Sequence, residues 1–235
     1  LIVTSFLFPP EFIRFAGDPL RGILRGILRG IKNPTSRGWG GFLIVCACAF
    51  ACVFGATEAS AATLYWVGNA GANTSVASNW KTTDPASCGS GDASAAPGSS
   101  DVAVFDADCD NSATMDLAAW SVAGLTFQSG YAGTVTQSGT NTITVGTSNW
   151  THAGGTFSGG SGDVTLNGTL TISGGTYKAT SGTTTLANTG LIISGGSFDP
   201  NNGTVNCTGG NSRTLDVNST ETFHNLTINK PGAYH

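Results

Sequence analysis

Gly154-Gly155-Thr156-Phe157, Gly174-Gly175-Thr176-Tyr177 and Gly195-Gly196-Ser197-Phe198 repeat one phrase at intervals of 20 and 21 residues. A unit of that length, built of short β-rich stretches between glycines and lacking helical periodicity, is too small to bury its own apolar face. It must stack on its neighbours, as the coils of a solenoid do. The phrase thus predicts an all-β parallel β-helix whose successive coils lie ~4.8 Å apart. Phe157, Tyr177 and Phe198 then form an aromatic ladder. The paired glycines permit the corner before each ring, because glycine adopts positive φ without a Cβ clash.

Working outward, Asn141, Gly162, Gly182 and Gly203 keep the same spacing, and each opens a short alternating strand. Side chains alternate faces along a strand. Ile143, Val164, Thr184 and Val205 are therefore expected to point inward, with Val145, Leu166, Leu186 and Cys207 in a second inward column. The residues between them are expected on the surface: Thr142 and Thr144, Asp163 and Thr165, Thr183 and Thr185, Thr204 and Asn206. Leu170 with Ile172 and Leu191 with Ile193 mark another strand in each coil, and the glycine phrase makes the third. Coils are expected over 124–235, continuing past the end of the sequence.

Composition agrees with such a fold. The 235 residues include 34 Gly and are only 10% charged, while Val, Ile, Thr, Phe and Trp recur throughout, which separates the chain from disordered polar sequences. Residues 62–123 carry strand-like runs at Leu64-Tyr65-Trp66-Val67 and Asp101-Val102-Ala103-Val104-Phe105, with a loop of small residues between them. This segment is expected to cap the raw edge of the solenoid, which would otherwise template aggregation.

Residues 1–61 differ in kind. Arg14, Arg21, Arg25, Arg29, Lys32 and Arg37 precede an apolar run of 13 residues from Phe42 to Phe54, and Ala59-Ser60-Ala61 places small residues where a signal peptidase cuts. The run is shorter than the ~20 residues a bilayer-spanning helix needs, so the segment reads as a basic leader and signal peptide cleaved after Ala61. The sole Met is Met115, and the expected start codon lies elsewhere. After Ala61 the chain has four basic and eleven acidic residues. Nucleic acid and anionic membrane both call for a basic face, so neither is an expected partner, and no membrane insertion of the mature part is expected.

In an exported chain, Cys88 and Cys109 flanking a loop are expected to form a disulfide. Cys207, in an inward column, is expected to act as a small buried apolar residue. Asp106, Asp108 and Asp110 superficially suit a calcium loop, since hard cations take several carboxylate oxygens. Asn111 and Leu117 stand where an EF-hand needs Gly and Glu, and a solvated turn is the reading kept, with no cofactor assigned. His152, His224 and His235 have no metal spacing. Asp163 and Asp199 fall in different columns, which argues against the paired carboxylates of a glycosidase.

The run Trp66, Gly68, Asn79-Trp80, Pro97 and Asp101-Val102-Ala103-Val104-Phe105-Asp106 resembles the opening of bacterial cell-surface β-helix proteins, similar to autotransporter passengers and filamentous adhesins. Phe223-His224-Asn225-Leu226-Thr227-Ile228 is similar to a strand motif of their repeats. The resemblance implies export, a right-handed parallel β-helix and a role at the cell surface, and it carries no catalytic residue. The expected function is that of a secreted or surface-displayed adhesin or stalk, non-catalytic, meeting a host or neighbouring-cell surface, a glycan or matrix. A carbohydrate-active β-helix enzyme, a lyase or hydrolase, is the alternative. An ice-binding solenoid is the second, because Thr142, Thr144, Thr165, Thr183, Thr185 and Thr204 make a Thr-rich face; Asp163 and Asn206 break its regularity.

Overall fold

The computed structural model describes residues 61–187, 189–209, 214–218 and 220–229. The leader and signal peptide expected over 1–61 fall, except for Ala61, outside the described residues, as do Arg213 and His235.

The described chain begins with β1 (Thr63–Trp66), β2 (Ala72–Asn73), a 3-10 turn at Ala77–Asn79 and β3 (Trp80–Lys81). Three-strand coils follow. The first is β4 (Val102–Phe105), β5 (Ala113–Met115) and β6 (Ala119–Val122), and the next β7 (Gly124–Phe127), β8 (Thr134–Gln137) and β9 (Thr142–Val145). Then come β10 (Trp150–His152), β11 (Thr156–Ser158) and β12 (Val164–Leu166), followed by β13 (Leu170–Ile172), β14 (Thr176–Lys178) and β15 (Thr183–Ala187). β16 (Leu191–Ile193), β17 (Ser197–Asp199) and β18 (Thr204–Thr208) form another coil, and β19 (Leu215–Val217) and β20 (Asn225–Asn229) a partial one.

Each coil gives one strand to each of three sheets. The first sheet has the order β19-β16-β13-β10-β7-β4-β1-β3, the second β17-β14-β11-β8-β5-β2 and the third β20-β18-β15-β12-β9-β6. Neighbours pair in parallel, except β1 with β3. The protein is an all-β parallel solenoid of about six turns.

The inward columns lie where the glycine register puts them. Ile143, Val164, Thr184 and Val205 are opposite one another in the third sheet, as are Val145, Leu166, Leu186 and Cys207, and all eight are buried. Phe157 pairs with Tyr177 and Tyr177 with Phe198, with ring centroids 5.1 and 6.1 Å apart. At the corners Gly155, Gly175 and Gly196 have φ of 61°, 66° and 73°. A Cβ on Gly196 would also stand 2.7 Å from the Gly174 carbonyl oxygen of the coil below, so close coil-to-coil approach and positive φ require glycine together.

A second aromatic column runs through the first sheet. Phe105 pairs with Phe127 and Phe127 with His152, with centroids 5.1 and 4.7 Å apart, and Ile172 and Ile193 continue the column. Its members sit in strands of three or four residues separated by loops of uneven length, which hides the periodicity. The bulky early coils give way to aliphatic later ones. Each buried side chain of this size contributes about 1.5–3 kcal/mol by leaving water.

The sequence reading divides a cap at 62–123 from coils at 124–235. β4 pairs with β1 on one side and β7 on the other, so the sheet runs unbroken across that point. Antiparallel β3 closes the edge of β1, and Trp80, fully buried, accepts backbone hydrogen bonds on its carbonyl from Asp92 and Ala93 of the loop beyond it. The same loop receives the Trp120 indole N–H on the Pro97 carbonyl at 3.0 Å. Reversing strand direction at the end leaves a short two-residue edge in place of a continuous parallel template.

At the opposite end, Leu226 and Ile228 continue the inward columns of Val205 and Cys207, yet both are exposed, since β20 pairs only with β18 among the described strands.

Candidate functional site

The third sheet presents two outward columns. Parallel register places Ser121, Thr144, Thr165, Thr185, Asn206 and Thr227 in one continuous row, and Ala119 beside Thr142 and Thr183, Thr204 and Asn225 in the other, with Asp163 in register between Thr142 and Thr183. Thr142 is exposed, while Thr144, Thr165, Thr183, Thr185 and Thr204 are half-buried between their ladder neighbours. The structure thus brings all six sequence-selected threonines onto one sheet face. Asp163 is exposed, and its Oδ1 accepts the Thr183 amide hydrogen at 2.8 Å. Repeating hydroxyl and amide groups at ~4.8 Å spacing can donate to and accept from a ligand rich in hydroxyls without a deep pocket.

The second sheet also faces outward with short polar groups. Thr134, Thr156, Thr176 and Ser197 form one row, and Thr136, Ser158, Lys178 and Asp199 the other. Two faces are therefore polar, and the one on the third sheet is the more uniform.

Cys88 and Cys109 are joined, with Cα atoms 4.6 Å apart, and Cys109 is fully buried. Around this bridge the acidic residues sort differently from their sequence order. A carboxylate oxygen from each of Asp84, Asp106 and Asp108 lies within 4.8 Å of the other two. Asp110 is not in that group; its Oδ1 accepts the Ala132 amide hydrogen at 2.7 Å. Asp106 is buried at 2% exposure, its Oδ1 accepts from the Asp108 amide at 2.9 Å, and its Oδ2 has no partner. Burial, and then the Asp84 and Asp108 carboxylates, push its carboxyl above the usual range against the Asp108 amide hydrogen bond. Asp84 was not selected from the sequence. The signal was present in the bridge: Asp84 stands four residues before Cys88, as Asp106 and Asp108 stand three and one before Cys109.

Three polar residues, Gln137 and Thr180 buried and Asn201 half-buried, line one corner of the coils. Gln137 takes the Gly160 amide hydrogen on Oε1 and donates from Nε2 to the Gly162 carbonyl, both at 3.0 Å. Thr180 Oγ1 donates to Gly162 at 2.5 Å, and Asn201 Nδ2 to Ala179 at 2.9 Å. They satisfy carbonyls that the tight corner turns away from the strand ladders, which is a structural duty. Their types differ from coil to coil, so no periodic signal marks them.

His152 is fully buried, with Nε2 3.1 Å from the Thr176 carbonyl oxygen. Burial lowers its pKa to about 4, with the Thr176 hydrogen bond opposing. Among the described residues it belongs to no cluster of three or more metal-ligating side chains. Compared with known proteins, the chain matches no family model, no curated protein and no solved structure.

Proposed function

We propose that this protein is a secreted or surface-displayed β-solenoid that acts as an adhesin or structural stalk and meets a glycan or matrix partner along the third sheet. The observation that carries the reading is the unbroken outward row Ser121, Thr144, Thr165, Thr185, Asn206 and Thr227, presented on a rigid parallel sheet. Such a strip recognises hydroxyl-bearing polymers through many weak, repeated hydrogen bonds and gains strength from multivalency. The Cys88–Cys109 bridge supports export, because disulfides persist in oxidising compartments.

The test is binding of the full chain to glycan and matrix arrays and to whole cells. Changing Thr144, Thr165 and Thr185 together to Lys is expected to weaken retention at least about tenfold, a loss of ~1.4 kcal/mol, without changing the circular dichroism. Undiminished binding by that variant would place the contact elsewhere. Release of sugar fragments from a bound polymer would support the carbohydrate-active reading instead.

The same row favours ice binding as a second reading, since it presents hydroxyls at nearly regular spacing. The exposed Asp163 carboxylate opposes it, as a charge holds liquid water more strongly than a hydroxyl. Thermal hysteresis in solutions of the full chain decides between them, and none is expected.

A further inference from the structure

We infer that Asp84, Asp106 and Asp108 form a calcium site that fastens the disulfide-bearing loop to the coil beneath it. Two independent observations point there. Three carboxylate oxygens from separate residues converge within 4.8 Å of one another, a clustering of negative charge that is unfavourable without a counter-charge. Asp106 is in addition almost wholly buried, and with Oδ1 held by the Asp108 amide its Oδ2 lacks a partner. A buried carboxylate oxygen without a donor has lost its water for nothing, a deficit that a cation in the cluster removes.

The donor set selects the ion. All three groups are hard oxygen ligands, which suits calcium or magnesium and not zinc, whose structural sites use Cys and His. Magnesium usually keeps most of its water and takes one or two carboxylates in strict octahedral geometry. Three carboxylates, one from the loop and two from the turn after β4, fit the looser shell of calcium, with water completing it. The bridge brings the two segments together: Asp84 precedes Cys88, and Asp106 and Asp108 precede Cys109. The ion and the disulfide then act on the same junction, at the end of the solenoid that β3 and its loop cover.

The experiment uses the full chain with its disulfide intact, stripped of metal by chelator and titrated with calcium chloride alone by calorimetry and by thermal melting. Calcium is expected to bind at one site with a dissociation constant in the range of about 0.1–1 mM found for extracellular calcium modules, and to raise the melting temperature. Asp106→Asn is expected to abolish binding. Should that buried variant not fold, the exposed Asp84→Asn and Asp108→Asn each serve, and each is expected to weaken binding about tenfold or more, or ~1.4 kcal/mol. Asp110→Asn is expected to bind as the unaltered chain does. No heat and no melting shift with calcium would overturn the inference. So would an equal response to magnesium, which marks charge screening, or unchanged binding in the Asp84 and Asp108 variants.

Discussion

His152 on β10 donates a hydrogen bond from Nε2 to the carbonyl oxygen of Thr176 on β14, in the next coil, at 3.1 Å. The bond crosses the interior from the first sheet to the second, and either the neutral ring or the imidazolium can donate it, so burial and not this bond favours the neutral form. Nδ1 is buried and has no partner, so a proton there would be both desolvated and unpaired.

Stability is therefore expected to depend on pH through this residue. The folded pKa of about 4 lies below the ordinary 6.5, so between those values the unfolded chain binds a proton that the folded chain does not. The stabilisation is whole above pH 6.5, declines as the pH falls, and is lost by about pH 4, with a total on the order of 3 kcal/mol. Urea unfolding of His152→Phe across this range should show a shallower slope than the unaltered chain. Phe suits the position because Phe105 and Phe127 precede it in the column.

Gly175→Val is expected to destabilise the solenoid by about 3 kcal/mol or more, because it combines left-handed φ with backbone contact. The new Cβ would meet the Gly155 carbonyl well inside contact distance at φ 66°. Gly139 has φ 50° but open space around its Cβ position, so Gly139→Ala is expected to cost only about 1–2 kcal/mol. Equal melting temperatures for the two variants would remove coil-to-coil approach as the cause.

Reducing the Cys88–Cys109 bridge, or replacing both cysteines with Ser, is expected to cost ~3 kcal/mol, since the closed loop spans 21 residues. Hydrogen exchange should rise first in the loop 82–97, which depends on that tie and on a few backbone bonds to Val67, Ser78 and Trp80. Exchange spread evenly over the coils would contradict a local role.

Tyr177→Phe is expected to be neutral or to stabilise by up to about 1 kcal/mol, in contrast to the usual cost of a core change. The Tyr177 hydroxyl is buried without a hydrogen-bond partner, while its ring stacks between Phe157 and Phe198. Thermal melting of the variant measures the difference.

The coil register was legible in the chain from the glycine phrase alone. Side-chain alternation and a fixed 20- to 21-residue spacing place Val164, Leu166 and Tyr177 without tertiary information, because each position in a stacked coil sees the same neighbours above and below. The six outward threonines follow by the same alternation. The first-sheet column from Phe105 to His152 was not legible, since its loops vary in length and break the period.

What the sequence determined by itself was therefore the repeating part: strand, corner, inward and outward face. Only the tertiary structure decided where the repeat begins and which acids meet. β4 joins the coils because backbone pairing, which has no sequence signature of its own, runs from β1 to β7 through it. Asp84 reaches Asp106 and Asp108, while Asp110 turns to the Ala132 amide, because loop closure through Cys88 and Cys109 sets proximity where chain order does not.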